Sequence, residues 1–257
     1  MKFIITTDTH YGFDAPGNRK AHERFVDAMA EAIADNQCAA IIHTGDWISH
    51  RQAQLEKTFK LFRSKISVPI FTVFGNHDYW HAGKGKGRFR FFKSPDMDAY
   101  RLEVLSKYDI THVGNTPTVF NDILFMGMDG WYHHAKPPTN DASHLCKLIL
   151  DGYVVDKELV HPVLARKAHQ DLDKILSTVG NYTASKKVFL THFPPFAKTA
   201  LDHFYSGNPA YIDFIKDCFD VLCYGHTHEA VDVVENGLRI INDGAEYNKP
   251  NFKIIEL

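Results

Sequence analysis

Five times along this chain a short run of apolar, β-branched or aromatic residues stops at a small cluster of acids, amides and imidazoles. Residues 71–74 show it most clearly: Phe-Thr-Val-Phe fits a buried strand and breaks at Gly75 into Asn76, His77 and Asp78. Residues 2–7 lead in the same way to Asp8 and His10, 39–44 to Gly45 and Asp46, 187–191 to His192, and 220–224 to Gly225, His226 and His228. Between the first three runs, apolar residues recur at helical spacing over 20–34 (Phe25, Ala28, Met29, Ala32, Ile33) and 52–66 (Leu55, Phe59, Phe62, Ile66). This strand-helix rhythm predicts an α/β fold with a parallel sheet and right-handed crossovers. Ligands of such sheets bind beyond the carboxyl ends of the strands, where all five clusters fall.

The rest of the chain reads as further helices over 102–108, 161–179 and 211–217, and short strands at 111–113, 118–121, 123–128, 231–234, 238–242 and 252–256. The runs between 110 and 128 suggest antiparallel pairing, and Asn236-Gly237 marks a hairpin turn. No linker, low-complexity tract or repeat interrupts the pattern, so a single domain over residues 1–257 is expected. Residues 129–160 follow neither period and are compatible with a substrate-facing insertion or an ordinary connection carrying core aromatics.

Bulk properties exclude several classes. The 29 Lys and Arg against 31 Asp and Glu leave a formal charge of -2, so no global basic field argues for nucleic acid. The exception is local: a glycine-rich arm with Lys84, Lys86, Arg88, Arg90 and Lys93 among phenylalanines fits either an anion-attracting segment or a surface loop whose aromatics dock on the core. Cys38, Cys146, Cys218 and Cys223 form no C-x-x-C pair, which fits buried thiols in a reducing compartment. No apolar run reaches the ~20 residues of a membrane span, and the first residues do not read as a signal peptide, so a cytoplasmic protein without a membrane partner is expected. Nothing in the sequence fixes the oligomeric state.

Sixteen histidines are the compositional outlier, and imidazole is the commonest metal ligand. One Asp-x-His after a strand is as compatible with a turn or cap as with a ligand pair. Five such strand ends supplying only oxygen and imidazole, namely Asp8, His10, Asp46, Asn76, His192, His226 and His228, point to metal. Seven ligands exceed one tetrahedral ion and fit two ions if a carboxylate bridges them.

Asp8-Thr9-His10, Gly45-Asp46, Gly75-Asn76-His77-Asp78, His192 and Gly225-His226-Thr227-His228, in this order, resemble the signature of the calcineurin-like metallophosphoesterase superfamily. The resemblance implies a four-layer αββα sandwich with a dinuclear site at the carboxyl ends of its strands. It implies that Asp8, His10 and His228 bind one metal, Asn76, His192 and His226 the other, and that Asp46 bridges them. Imidazole, carboxylate and amide without thiolate suit Mn or Fe, with Zn or Ni also accommodated.

His77, next to the ligand Asn76, is expected at the rim as general acid or phosphate contact, with Asp78 accepting its other ring N–H and raising its pKa. Gly75 is expected to act as a hinge. Protein serine/threonine phosphatases carry Gly-Asp-x-x-Asp-Arg-Gly and Gly-Asn-His-Glu. Here Asp46 is followed by Trp47-Ile48-Ser49-His50-Arg51, so the phosphate-clamping arginine is missing from its place, with Arg51 one position later. The expected activity is therefore hydrolysis of a phosphodiester or nucleotide small molecule. A phosphomonoesterase or protein phosphatase, a nuclease drawing on the basic arm, and a non-catalytic protein-binding scaffold are the alternatives.

Overall fold

The computed structural model describes residues 1–12, 18–49, 52–82, 89–91, 95–131, 157–196, 207–247 and 249–257. Two sheets face each other. The first has the order β13-β1-β2-β3-β6, from β1 (Lys2–Thr6), β2 (Ile41–His43), β3 (Ile70–Thr72), β6 (Ile110–His112) and β13 (Lys253–Glu256). All neighbours in it run parallel except β13, which lies antiparallel on β1. The second has the order β11-β12-β10-β9-β8-β7, from β7 (Thr118–Phe120), β8 (Ile123–Met128), β9 (Lys186–Thr191), β10 (Val221–Cys223), β11 (Val231–Glu235) and β12 (Leu238–Asn242). Its four central strands are parallel, and β7 and β11 close the edges as antiparallel hairpin partners. A third, two-stranded ribbon pairs β4 (Trp80–Ala82) with β5 (Phe89–Phe91).

Successive strand residues point to opposite faces, and here both faces are dry. Phe3 and Ile5 of β1 meet Phe125 of β8, Val188 and Leu190 of β9 and Cys223 of β10 between the sheets. Ile4, one residue out of phase, packs outward with Val26, Met29, Leu55 and Phe59 of α1 (Asn18–Asn36) and α2 (Gln52–Arg63), and with Val104 and Leu105 of α4 (Pro95–Lys107). Leu124 and Met126 of β8 and Phe189 of β9 pack outward on the other side, against α5 (Lys157–Thr178) and α6 (Tyr211–Cys218). Three apolar cores between four layers give the αββα sandwich. One further short helix, α3 (Asn76–Tyr79), follows β3.

Most predicted elements lie within a few residues of their observed bounds, with three differences. The run at 111–113 is β6, parallel to β3 in the first sheet, so antiparallel pairing holds only for β7 with β8. Helix α4 starts at Pro95, seven residues before the predicted start; its apolar spacing is weak there, and Pro fits a first helical turn. Within the basic arm, residues 89–91 are a strand. Residues 83–88 and 92–94, Arg51, and 132–156 of the insertion lie outside the described residues, as does Cys146, while Cys38 and Cys223 are buried free thiols. Among the described residues no helix is long and apolar enough to cross a membrane.

Candidate metal centre

The five loops converge because the strands before them are in parallel register. Backbone N–H groups of Asp8, His10 and Tyr11 donate to the carbonyls of Gly45, Asp46 and Trp47 at 3.0, 2.9 and 2.9 Å, which carries the β1–β2 alignment beyond the sheet. His192 N donates to Asp129 O, and Gly225 N to His192 O, at 3.2 and 3.0 Å, which aligns the loops of the second sheet. The backbone is strained where the ligands sit. Asp8, His10, Asp46, His226 and His228 all have positive φ, between 45° and 72°, a region costly for residues with a Cβ. Gly45 at φ +97° supplies the sharp exit before Asp46. Gly75 does not have a positive φ, and what its missing side chain provides is space, since a Cβ there would lie 2.1 Å from Asp46 Oδ1.

Each carboxylate ties one oxygen to the protein and leaves the other for the centre. Asp8 Oδ2 accepts from Thr7 Oγ1 (2.8 Å) and His226 N (3.0 Å), and its buried Oδ1 has no protein donor. Asp46 Oδ1 accepts from His77 N at 2.8 Å. Around Asp46 Oδ2 stand His192 Nε2 at 3.4 Å, His10 Nε2 at 3.7 Å and His77 Nε2 at 4.0 Å. Asp8 Oδ1 lies 3.5 Å from His228 Nε2 and 3.7 Å from His10 Nε2. Asn76 Oδ1 and His192 Nε2 meet at 3.1 Å. Potential ligand atoms fall into three close sets, Asp8–His10–His228, His10–Asp46–His77 and Asp8–Asp46–His192.

Buried polar atoms without protein partners are rare and call for a cause. Here Asp8 Oδ1 and His10 Nε2 are both buried, unpaired and aimed at one point, a donor set that suits a divalent ion. The seven predicted ligands are thus brought together, with one qualification. The His226 ring stands beside His192 at 5.2 Å between centroids, yet belongs to none of the three close sets.

The electrostatics suit metal binding. Burial drives His10 well below the ordinary imidazole range, with His77 adding to the effect, and burial with His192 takes His226 down to about 3, so both rings are neutral and able to ligate. Burial raises Asp46, but His192 and His77 outweigh it and hold the carboxylate well below its usual value. His192 is lowered by burial, but Asp46, Asp8 and the Thr44 carbonyl together outweigh it and bring it to about 9, so an ion bound there has to displace its proton.

The partner predicted for His77 is corrected. His77 Nδ1 bonds the Ser49 carbonyl at 2.7 Å, while Asp78 accepts backbone N–H groups from Asp46 (2.9 Å), Gly75 (2.9 Å) and Ile48 (3.1 Å). Asp78 therefore fastens two ligand loops together. The His77 pKa moves down through burial, against the expected rise.

Several contributors lie outside the five strand ends that supply the candidate ligands. Asp129 Oδ1 accepts from Phe74 N (2.8 Å) and bonds His112 Nε2 (2.7 Å), and Tyr79 donates to Oδ2, so Asp129 holds the end of β3 beside the second sheet. Asp243 Oδ2 accepts from Thr7 N at 3.2 Å, and Tyr247 stacks on His10 and His228. A sixth strand end, Asn242-Asp243-Gly244 after β12, repeats the pattern and is the signal that points to that region.

The family model described as calcineurin-like phosphoesterase matches residues 1–230. The chain belongs to the calcineurin-like phosphoesterases. The family is described as one of phosphoesterases, and the clustered acids and imidazoles of this chain are candidate metal ligands. Among curated proteins, the DNA double-strand break repair protein Mre11 of Haloferax volcanii is 24% identical over 136 residues, 50% of this chain but only 27% of that protein. Among solved structures, the phosphopantetheinyl hydrolase of Mycobacterium tuberculosis superposes with a TM-score of 0.71 at 14% identity, covering 93% of this chain and 87% of its own. A dimetal phosphatase from Danio rerio does so with a TM-score of 0.56 at 12% identity, covering 94% and 86%. At these identities the two superpositions establish the fold.

Proposed function

We propose that this phosphoesterase acts on a phosphodiester or nucleotide, with Asp8, His10 and His228 holding one metal ion, Asn76, His192 and His226 the other, and Asp46 shared. Mn or Fe are the favoured ions, with Zn or Ni also suited to the ligands. The carrying observation is Asp46 Oδ2, set between His10 and His192 while the other Asp46 oxygen is tied to His77 N. When bound, the two ions supply activation of water and neutralisation of phosphoryl charge. The chain's own groups do the rest. The Ser49 carbonyl accepts the Nδ1–H of His77 and turns Nε2 to the Asp46 side of the centre; Nε2 donates to the leaving oxygen or the phosphoryl group only in the doubly protonated ring, a form that burial disfavours and an anionic substrate beside it would favour.

Diester preference rests on the residues just after Asp46. Trp47, Ile48 and Ser49 are buried, Trp47 stacking on His43 at 3.4 Å, so these three described residues are spent on the core and none is a cation that could clamp phosphate. A dianionic monoester needs more positive charge around it than a monoanionic diester. Residues 1–257 are proposed to form one domain.

The test is a metal-supplemented panel of an aryl monoester, an aryl diester, cyclic nucleotides and single-stranded DNA. A kcat/KM for the diester or cyclic nucleotide at least about tenfold above that for the monoester is expected; the reverse order points to a phosphomonoesterase or protein phosphatase and overturns the reading. No hydrolysis of any substrate with added Mn points to a scaffold. A nuclease is the second reading, favoured by the partial likeness to Mre11. Under it, neutralising Lys84, Lys86, Arg88, Arg90 and Lys93 cuts DNA cleavage far more than aryl diester cleavage, and equal effects sink it.

A further inference from the structure

Ligand imidazoles ordinarily have their second ring nitrogen fixed by a carbonyl or carboxylate, which sets the orientation of the ring. His192 follows the rule, its Nδ1 lying 2.9 Å from Thr44 O. His10 and His228 do not. Both Nδ1 atoms are buried and have no hydrogen-bond partner among the described residues. Their rings are nonetheless parallel, 5.5 Å apart with 6° between planes.

A single side chain lies across both. The Tyr247 ring stacks on His10 at 4.5 Å and 28° and on His228 at 4.7 Å and 29°, while remaining 45% exposed. Its loop is fastened to the site. Asp243 accepts from Thr7 N through Oδ2 (3.2 Å) and from Ala245 N through Oδ1 (3.3 Å), so the loop is tied to the residue before Asp8. Gly244 N donates to Asn242 Oδ1 at 2.8 Å, Asn251 Nδ2 to Asp243 O at 2.9 Å, and Lys249 N to Glu246 O at 2.9 Å.

We propose that Tyr247 is a positioning residue for the Asp8–His10–His228 half of the centre, its ring face fixing two imidazoles that no hydrogen bond orients. The inference rests on reading those three residues as ligands. A flat ring in contact with two imidazole faces opposes their rotation, and this requires the ring but not the hydroxyl. Phe therefore serves in place of Tyr, whereas Ala and Leu do not.

Mn(II) titration of the full chain, followed by EPR and calorimetry, tests this on the wild type, Tyr247→Phe, Tyr247→Ala, Tyr247→Leu and, as a control on the ligand reading, His10→Ala. The wild type and Tyr247→Phe should bind two ions alike. Tyr247→Ala and Tyr247→Leu should weaken one site roughly 10–100-fold and leave the other unchanged, the range seen when the support of a ligand is removed. Circular dichroism matched to wild type separates loss of the ring from loss of the fold, and the bulky Leu variant serves if Ala fails to fold. Two unaltered sites in both the Ala and Leu variants overturn the proposal, as does equal weakening in Tyr247→Phe. If His10→Ala also binds as wild type does, it is the ligand reading that has failed.

Discussion

The two halves of the proposed metal centre differ in how they are built. On the Asn76–His192 side, hydrogen bonds hold His192 through Thr44 O and the loop before Asn76 through Asp78 and Asp129, while the His226 ring packs against His192 and Phe193. On the Asp8–His10–His228 side the carboxylate is held by Thr7 and by His226 N, but the imidazoles rely on ring packing, with His77 edge-on to His10 at 4.5 Å and Tyr247 across both. The difference comes from position. The hydrogen-bonded half lies where two sheets bring backbone groups together, and the packed half is roofed by an exposed ring from the loop after β12.

The strongest way to break this division is at the group common to both halves. Asp46→Ala should abolish metal-dependent hydrolysis and lower Mn content at both sites, a larger loss than the roughly 10²–10⁴-fold a positioned proton donor supplies. Retention of either ion at full affinity would show that Asp46 is not shared. Next in size, His77→Ala should lower turnover by about 10²–10⁴ while two ions remain per chain. Metal analysis decides it, since a parallel loss of metal would make His77 a ligand. Asp129→Asn should act on one half only, weakening the Asn76–His192 site roughly 10–100-fold in Mn titration and sparing the other. An equal effect on both would mean the halves are mechanically one.

The smallest effect belongs to a control outside the candidate ligands. Asp232 is paired with Arg239 at 2.8 and 3.0 Å and with Lys253 at 2.5 Å, and the Arg239 bond above all takes its carboxyl down to about 2. A carboxyl lowered on folding stabilises the protein above its unfolded pKa, near 3.8, and loses that contribution as pH falls through about 2. Asp232→Asn should therefore cost at most about 1 kcal/mol at neutral pH, shrinking towards zero near pH 2, with metal binding untouched. Urea unfolding at several pH values measures it.

The candidate ligands were legible because each sits at the end of an apolar run, and the parallel α/β rhythm sends all such ends to one crevice. Their supports were not. Asp129 also ends an apolar run, ahead of Gly130, but only the packed structure shows that β8 brings it beside Phe74 and His112, residues far away in the chain. The role expected of Asp78 went instead to the Ser49 carbonyl, a backbone group that no side-chain pattern reports. Gly75 was visible as a break, but only the packed structure shows that the missing Cβ makes room for Asp46.

By itself, then, the sequence determined the α/β class, the five strand ends and the donor chemistry, because periodicity and residue type are local properties of a chain. Only the tertiary structure decided which oxygen of each carboxylate is free, which imidazoles are hydrogen-bonded and which are stacked, and that Tyr247 covers two of them. Those facts depend on contacts between residues as far apart as His10 and Tyr247, which no local pattern encodes.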